Sequence, residues 1–265
     1  MNTQTHIMKT LVLATSFVLS FALTSPAQSD ALNSFTKMSG LWHDPSNWGT
    51  GNIPSSEAGR IIISQGVVSV EEPVLEDINV AIYRAGEGDC TLAINSDFQV
   101  INLGIAPWAS STGRIEQMGG TVTARLLMIA HNRPDMEAGE GEYSLEAGKL
   151  EAHNLHLGTT GRGVLSLKGT GPVASVGNES MIGPKSTLRF YGTKAGFPTL
   201  DLGVPRIEPG AILEIDCDAT VKPGKHQIIL ASEPLAGLFQ LQITGSGAGR
   251  AKVLEKEPGV VLEVK

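Results

Sequence analysis

Apolar and polar side chains alternate in short runs along most of the chain, and Gly, Pro, Asn and Asp separate the runs. Arg60 to Ser64, Val67 to Val70, Ile78 to Tyr83, Cys90 to Ile94 and Phe98 to Leu103 read this way, as do Thr187 to Tyr191, Leu200 to Leu202 and Ile212 to Cys217. Period-two alternation turns one side of a strand to a core and the other to solvent, so each run predicts a short β-strand. After the N-terminal segment, no stretch keeps apolar residues at i, i+3, i+4 and i+7 through three turns without Gly or Pro. The chain is expected to be all-β.

The runs also repeat. Gly113 to Ala130 and Gly141 to Gly158 are both 18 residues long and align without a gap, and Gly163 to Gly183 follows the same template with three extra residues. Ile115, Tyr143 and Leu165 coincide, then Gln117, Leu145 and Leu167, and all are assigned to the interior. Gly120 and Gly148 mark a turn that needs positive φ, after which Val122 meets Leu150, Leu127 meets Leu155 and Ile129 meets Leu157. Upstream, Gly59, Gly86, Gly113 and Gly141 stand 27, 27 and 28 residues apart, and Leu103-Gly104 matches Leu157-Gly158. One supersecondary unit reused at a fixed period is the signature of stacked coils. A β-sandwich also uses short, evenly spaced strands, but it does not reuse one template per layer. The expectation is a right-handed parallel β-solenoid with five or six coils of about 27 residues. Residues 28–58 would form its N-terminal cap, 59–203 its coils, and 204–265 its C-terminal coils and cap.

Composition adds an address. Lys9, the apolar stretch Leu11 to Leu23 and the small residues Ser25-Pro26-Ala27 form a secretory signal peptide over residues 1–27, with a second cleavage point at Ala31. The apolar stretch is too short to span a bilayer, and no later segment is long and apolar enough to do so. Removing 1–27 leaves 19 basic and 27 acidic side chains, an acidic balance that disfavours nucleic acid as a partner. Cys90 and Cys217 would sit on distant coils, too far apart to bridge, as buried free thiols. A secreted protein, extracellular or periplasmic, follows.

Three segments carry a family resemblance. Leu41-Trp42-His43-Asp44-Pro45-Ser46-Asn47-Trp48-Gly49-Thr50-Gly51-Asn52-Ile53-Pro54 resembles the W-x-N-W-x-G-x-P opening of bacterial extracellular β-helical repeat proteins. The GGTVTA and LHLG segments resemble the internal coils of autotransporter-associated β-strand repeats, and Val221 to Leu230 with Leu235 to Phe239 resembles their closing unit. The resemblance implies export, a pectin-lyase-like coil, and roles in surface display, adhesion or matrix scaffolding. It does not imply one activity. This chain is short and lacks a C-terminal sorting tail and an outer-membrane barrel.

Candidate chemistry is sparse. Trp108, in a corner loop, offers a flat face to a sugar ring, whereas Trp42 and Trp48 are expected to plug the first coil. His131, Asn132, Arg133 and Asp135 lie in the longest polar insertion between coils, where a rigid scaffold presents contacts to a ligand. Glu214, Asp216 and Asp218 alternate outward along one strand. They could hold Ca²⁺ through hard oxygen ligands, or serve as a solvated stripe that discourages edge pairing. No cofactor is otherwise implied. His153 and His156 fall beside inward leucines and read as solvent-facing, and Thr121 and Thr123 align with Lys149 and Glu151, so no threonine ladder forms. Nucleophile and phosphate-loop signatures are absent. The expected function is a secreted, non-enzymatic structural or adhesive module contacting glycan or matrix. The alternative is a polysaccharide lyase or hydrolase, which would need a groove lined by Asp, Glu, Arg and Lys from successive coils.

Overall fold

The computed structural model describes residues 33–265 apart from 86, 87, 89, 232, 233, 255 and 256. The proposed signal peptide lies outside the described residues. The remainder is a parallel β-solenoid of about nine turns. One sheet runs through nine strands in the path Ser39–Leu41, Gly66–Val70, Cys90–Ile94, Ser111–Gln117, Glu140–Leu145, Arg162–Lys168, Ser186–Tyr191, Ile212–Asp216 and Gln240–Thr244. Every step along that path is parallel. That nine-strand path is the second sheet; the first sheet, which begins with Asn33–Ser34, takes the other side of each coil, and its longest strands are Phe98–Ile105, Thr121–Ile129 and Lys149–Leu157.

Those long strands bend within themselves. Val122 and Ala124 are buried, and so are Leu127 and Ile129, so inward alternation skips a beat at Arg125-Leu126. The same break occurs at Ile101-Asn102 and His153-Asn154. Two consecutive outward residues turn the chain, and each coil gains a further side.

The interior is built from register columns. Val68, Leu92, Ile115, Tyr143, Leu165, Leu188 and Leu213 stack one above the next with no exposure. Each such side chain removed from water contributes about 1.5–3 kcal/mol. The equivalences Ile115–Tyr143–Leu165 and Leu127–Leu155 are those of the gapless repeat.

Three expectations need correction. Outward positions Ser39, Val67, Thr91, Arg114, Glu142, Val164, Thr187, Ile212 and Gln240 share one column, so successive coils hold 28, 24, 23, 28, 22, 23, 25 and 28 residues, most of them fewer than the expected length of about 27. Register is fixed only where strands pair, and the corners absorb different lengths of chain. The count also rises from five or six to about nine, because parallel pairing starts at Ser39–Leu41, within the expected cap, and runs on to Gln240–Thr244. Finally, Leu103 pairs with Leu127 and thus with Leu155, so Leu103-Gly104 sits two residues before the position of Leu157-Gly158. A slip of two preserves which face is inward, which is why the pattern did not expose it.

The ends close differently. Trp42 packs edge-on against Trp48 at 5.0 Å and Phe98 at 5.3 Å, and Trp48 Nε1 donates to the Trp42 carbonyl at 2.8 Å. Both indoles are buried and fill the N-terminal interior. At the other end the first sheet switches to antiparallel pairing, Gly224–Leu230 with Val260–Val264 and Val260–Val264 with Ala251–Leu254. An antiparallel hairpin ends the parallel ladder and covers its edge.

Candidate functional site

One corner collects the residues singled out in the sequence. Ile82, Ile105, Ile129, Leu157 and Ile182 form a register column where the first sheet ends. The chain leaves each of them to cross to the second sheet. Trp108 lies on the crossing after Ile105, and His131, Asn132, Arg133 and Asp135 lie on the next crossing, after Ile129. Ala106 and Ala130 open these crossings with φ near 50°, the conformation that Gly158 takes at the third. Left-handed alanine is strained by about 1–2 kcal/mol, and here complete burial of the methyl group offsets that cost.

Trp108 is half-buried. Its ring meets Tyr83, from the preceding crossing, at 4.1 Å between centroids, and the Arg60 guanidinium lies 5.5 Å from its centre. The next crossing is tied down by backbone contacts: Asn132 N–H donates to Thr160 Oγ1 at 2.8 Å, and Asn132 Nδ2 to the Glu137 carbonyl at 3.3 Å. Arg133 and Asp135 point into solvent.

His131 behaves otherwise. Its Nδ1 is hydrogen-bonded to Thr159 Oγ1, and its Nε2 faces Nδ1 of His156 at 3.1 Å. The rings meet edge-on at 4.4 Å. Burial, reinforced by the neighbouring ring, holds the His131 imidazole down at about 4, and burial lowers His156 against the pull of Glu179. Both rings are therefore neutral at ordinary pH. His156 is half-buried rather than free in solvent, because His131 rises from the previous coil to cover it, whereas His153 is exposed.

Beside this corner, the outer face of the second sheet carries a feature that no single sequence segment announced. A shallow depression of about 590 Å³ is lined by Thr91, Gly113, Gly141 and Val164 together with Arg114, Glu116, Glu140, Glu142, Arg162 and Arg189. A second hollow of about 420 Å³ at the corner shares Thr112, Glu140 and Arg162 with it. Its arginines are paired: Arg114 Nε to Glu116 Oε1 at 3.1 Å, Arg162 to Glu140 at 3.8 Å, and Arg189 Nε to Glu214 Oε2 at 2.8 Å. On the strand Glu140–Leu145, Ser144 is wholly buried, and its Oγ has no hydrogen-bond partner among the described residues. In the repeat alignment the column reads Arg114, Glu142, Val164, three unlike residues that no periodic search would join.

The acidic strand is less convergent. Leu213, Ile215 and Cys217 point inward and Glu214, Asp216 and Asp218 outward, as alternation requires. Glu214 is engaged by Arg189, and the Asp218 carboxylate accepts the Thr220 N–H, which holds it below the usual carboxylate range. Among the described residues, no group of three His, Cys, Asp or Glu is placed to hold a metal ion. Cys90 and Cys217 are buried free thiols, and among the described residues no helix is long and apolar enough to cross a membrane. No family model matches the chain, and neither curated proteins nor solved structures give a significant match.

Proposed function

We propose that this protein is an exported, non-enzymatic β-helical module of the autotransporter-associated or pectin-lyase-like type that holds extracellular glycan against the outer face of its second sheet. The observation that carries the reading is the depression bounded by Arg114, Glu142, Arg162 and Arg189 on successive coils. Coils stacked about 4.8 Å apart offer paired donors and acceptors at a spacing comparable to the repeat of an extended polysaccharide. Arginine and glutamate in fixed pairs present both donors and acceptors to hydroxyls, and the half-buried Trp108–Tyr83 pair at the corner supplies a flat apolar surface for a ring.

Glycan affinity electrophoresis of the purified chain against neutral and acidic polysaccharides tests this. Retardation by at least one glycan, lost in Arg114→Ala and Arg189→Ala, is the expected result; no retardation by any of them overturns it. A second reading, a lyase or hydrolase, is favoured by the draw of Arg and Glu from successive coils. It predicts chain shortening or an ultraviolet-absorbing unsaturated uronate on incubation with the bound glycan, and such a product would replace the non-enzymatic reading.

A further inference from the structure

The corner holds a second arrangement that the glycan reading does not use. His131 Nε2 and His156 Nδ1 face each other at 3.1 Å across two adjacent coils. We propose that these two nitrogens form a binding site for a late first-row transition-metal ion, Cu²⁺ above Zn²⁺.

The distance is the first argument. Two metal–nitrogen bonds of about 2.0–2.1 Å place their nitrogens about 3.3 Å apart at the tetrahedral angle and about 2.9 Å apart at a right angle. The observed separation falls between these, so the two nitrogens already stand at the spacing a shared ion requires. Orientation is the second argument. His131 is held by Thr159 Oγ1 on its other nitrogen, the outer contact that metal-bound imidazoles use to fix their tautomer. In the metal-free pair one of the two facing nitrogens carries the proton of the shared hydrogen bond; metal binding moves that ring's proton to its other nitrogen, leaving one proton on each ring, on His131 Nδ1 and His156 Nε2, without net proton release.

Surroundings are the third argument. His156 shares its outward register column with Met128 on the coil before and Met181 on the coil after. All three are half-buried, so the pair is partly sheltered from bulk water. Imidazole nitrogen selects copper, nickel and zinc over calcium and magnesium, and at equal geometry copper binds most tightly. Water would complete the coordination.

The test uses the folded chain with Cu²⁺ alone, followed by electron paramagnetic resonance and calorimetric titration. One ion per chain and hyperfine coupling to two nitrogens are expected. His131→Gln or His156→Gln should remove stoichiometric binding at micromolar metal, and His153→Gln, on an exposed neighbour, should leave it intact. Thr159→Val retains both rings and removes the orienting hydroxyl, and should weaken binding about 10-fold. Thermal unfolding without metal reports whether each variant keeps its fold. Absence of stoichiometric binding, or binding that survives both His131→Gln and His156→Gln, overturns the proposal.

Discussion

Tyr143 Oη donates to Gln117 Oε1 at 2.7 Å, joining two adjacent coils by a hydrogen bond inside the core. Both side chains are wholly buried, and Gln117 Nε2 also donates to the carbonyls of Gly120 and Lys149. Gln117 occupies a column otherwise filled by Val70, Ile94, Leu145 and Leu167. Tyr143→Phe keeps the ring and strands the glutamine oxygen, so it should cost about 1–3 kcal/mol in urea unfolding. A loss within error would mean that Gln117 finds another donor.

The turn at Gly148 is held from outside as well as by its own φ of 87°. A Cβ there would lie 2.2 Å from the Gly120 carbonyl oxygen of the coil before. Gly148→Ala should therefore destabilise by more than the roughly 1–2 kcal/mol of left-handed strain alone. Ala130→Gly provides the contrast: it relieves strain but loses a buried methyl, and its unfolding midpoint should stay close to that of the parent.

Trp108 is bound to the scaffold mainly through Tyr83 and Arg60 at a half-exposed corner. Trp108→Ala should lower glycan affinity several-fold while moving the melting temperature little. If melting shifts and affinity does not, the ring belongs to the fold rather than to a ligand.

Cys90 carries a pH signature. Its Sγ donates to the Ile63 carbonyl at 3.0 Å, and burial pushes the thiol from an ordinary value of 9.0 up to about 12. Below pH 9 the thiol is protonated in both folded and unfolded chains and its contribution is complete. As pH rises from 9 towards 12, the unfolded chain loses the proton that the folded chain keeps, and stability falls. Comparing unfolding free energies of the parent and Cys90→Ala across this range should show a steeper decline in the parent. Parallel curves would place Cys90 in a more solvated setting.

The interior was legible in the sequence because inward positions must repeat from coil to coil. Ile115, Tyr143 and Leu165 aligned without a gap, and the register joins them. Coil length was misread because glycines recur for different reasons. Gly59 sits before a first-sheet strand with φ of 64°, whereas the register column leading to Gly113 passes through Gly66 and Cys90. The glycine at 113 is needed for another purpose: a Cβ there would meet the Ile82 carbonyl oxygen at 2.5 Å.

The site was harder to read. Trp108 and His131 were visible as corner residues, but their stacking on successive crossings depends on the Ile105–Ile129 register. Arg114, Arg162 and Arg189 lie in different columns, so their shared depression exists only once the coils are stacked. The His131–His156 contact was missed for a similar reason. His156 aligns with Met128, and its partner comes from a crossing that the repeat template does not include.

Stacking also sets how the molecule answers force. In a solenoid each coil grips only its two neighbours, so tension along the axis meets a series of similar small barriers rather than one large one. The antiparallel strands Ala251–Leu254 and Val260–Val264 would have to be peeled away first, after which coils of 22 to 28 residues unspool singly. Each should release about 75–100 Å of chain. A chain that yields in such increments would lengthen under load while its remaining coils stayed folded.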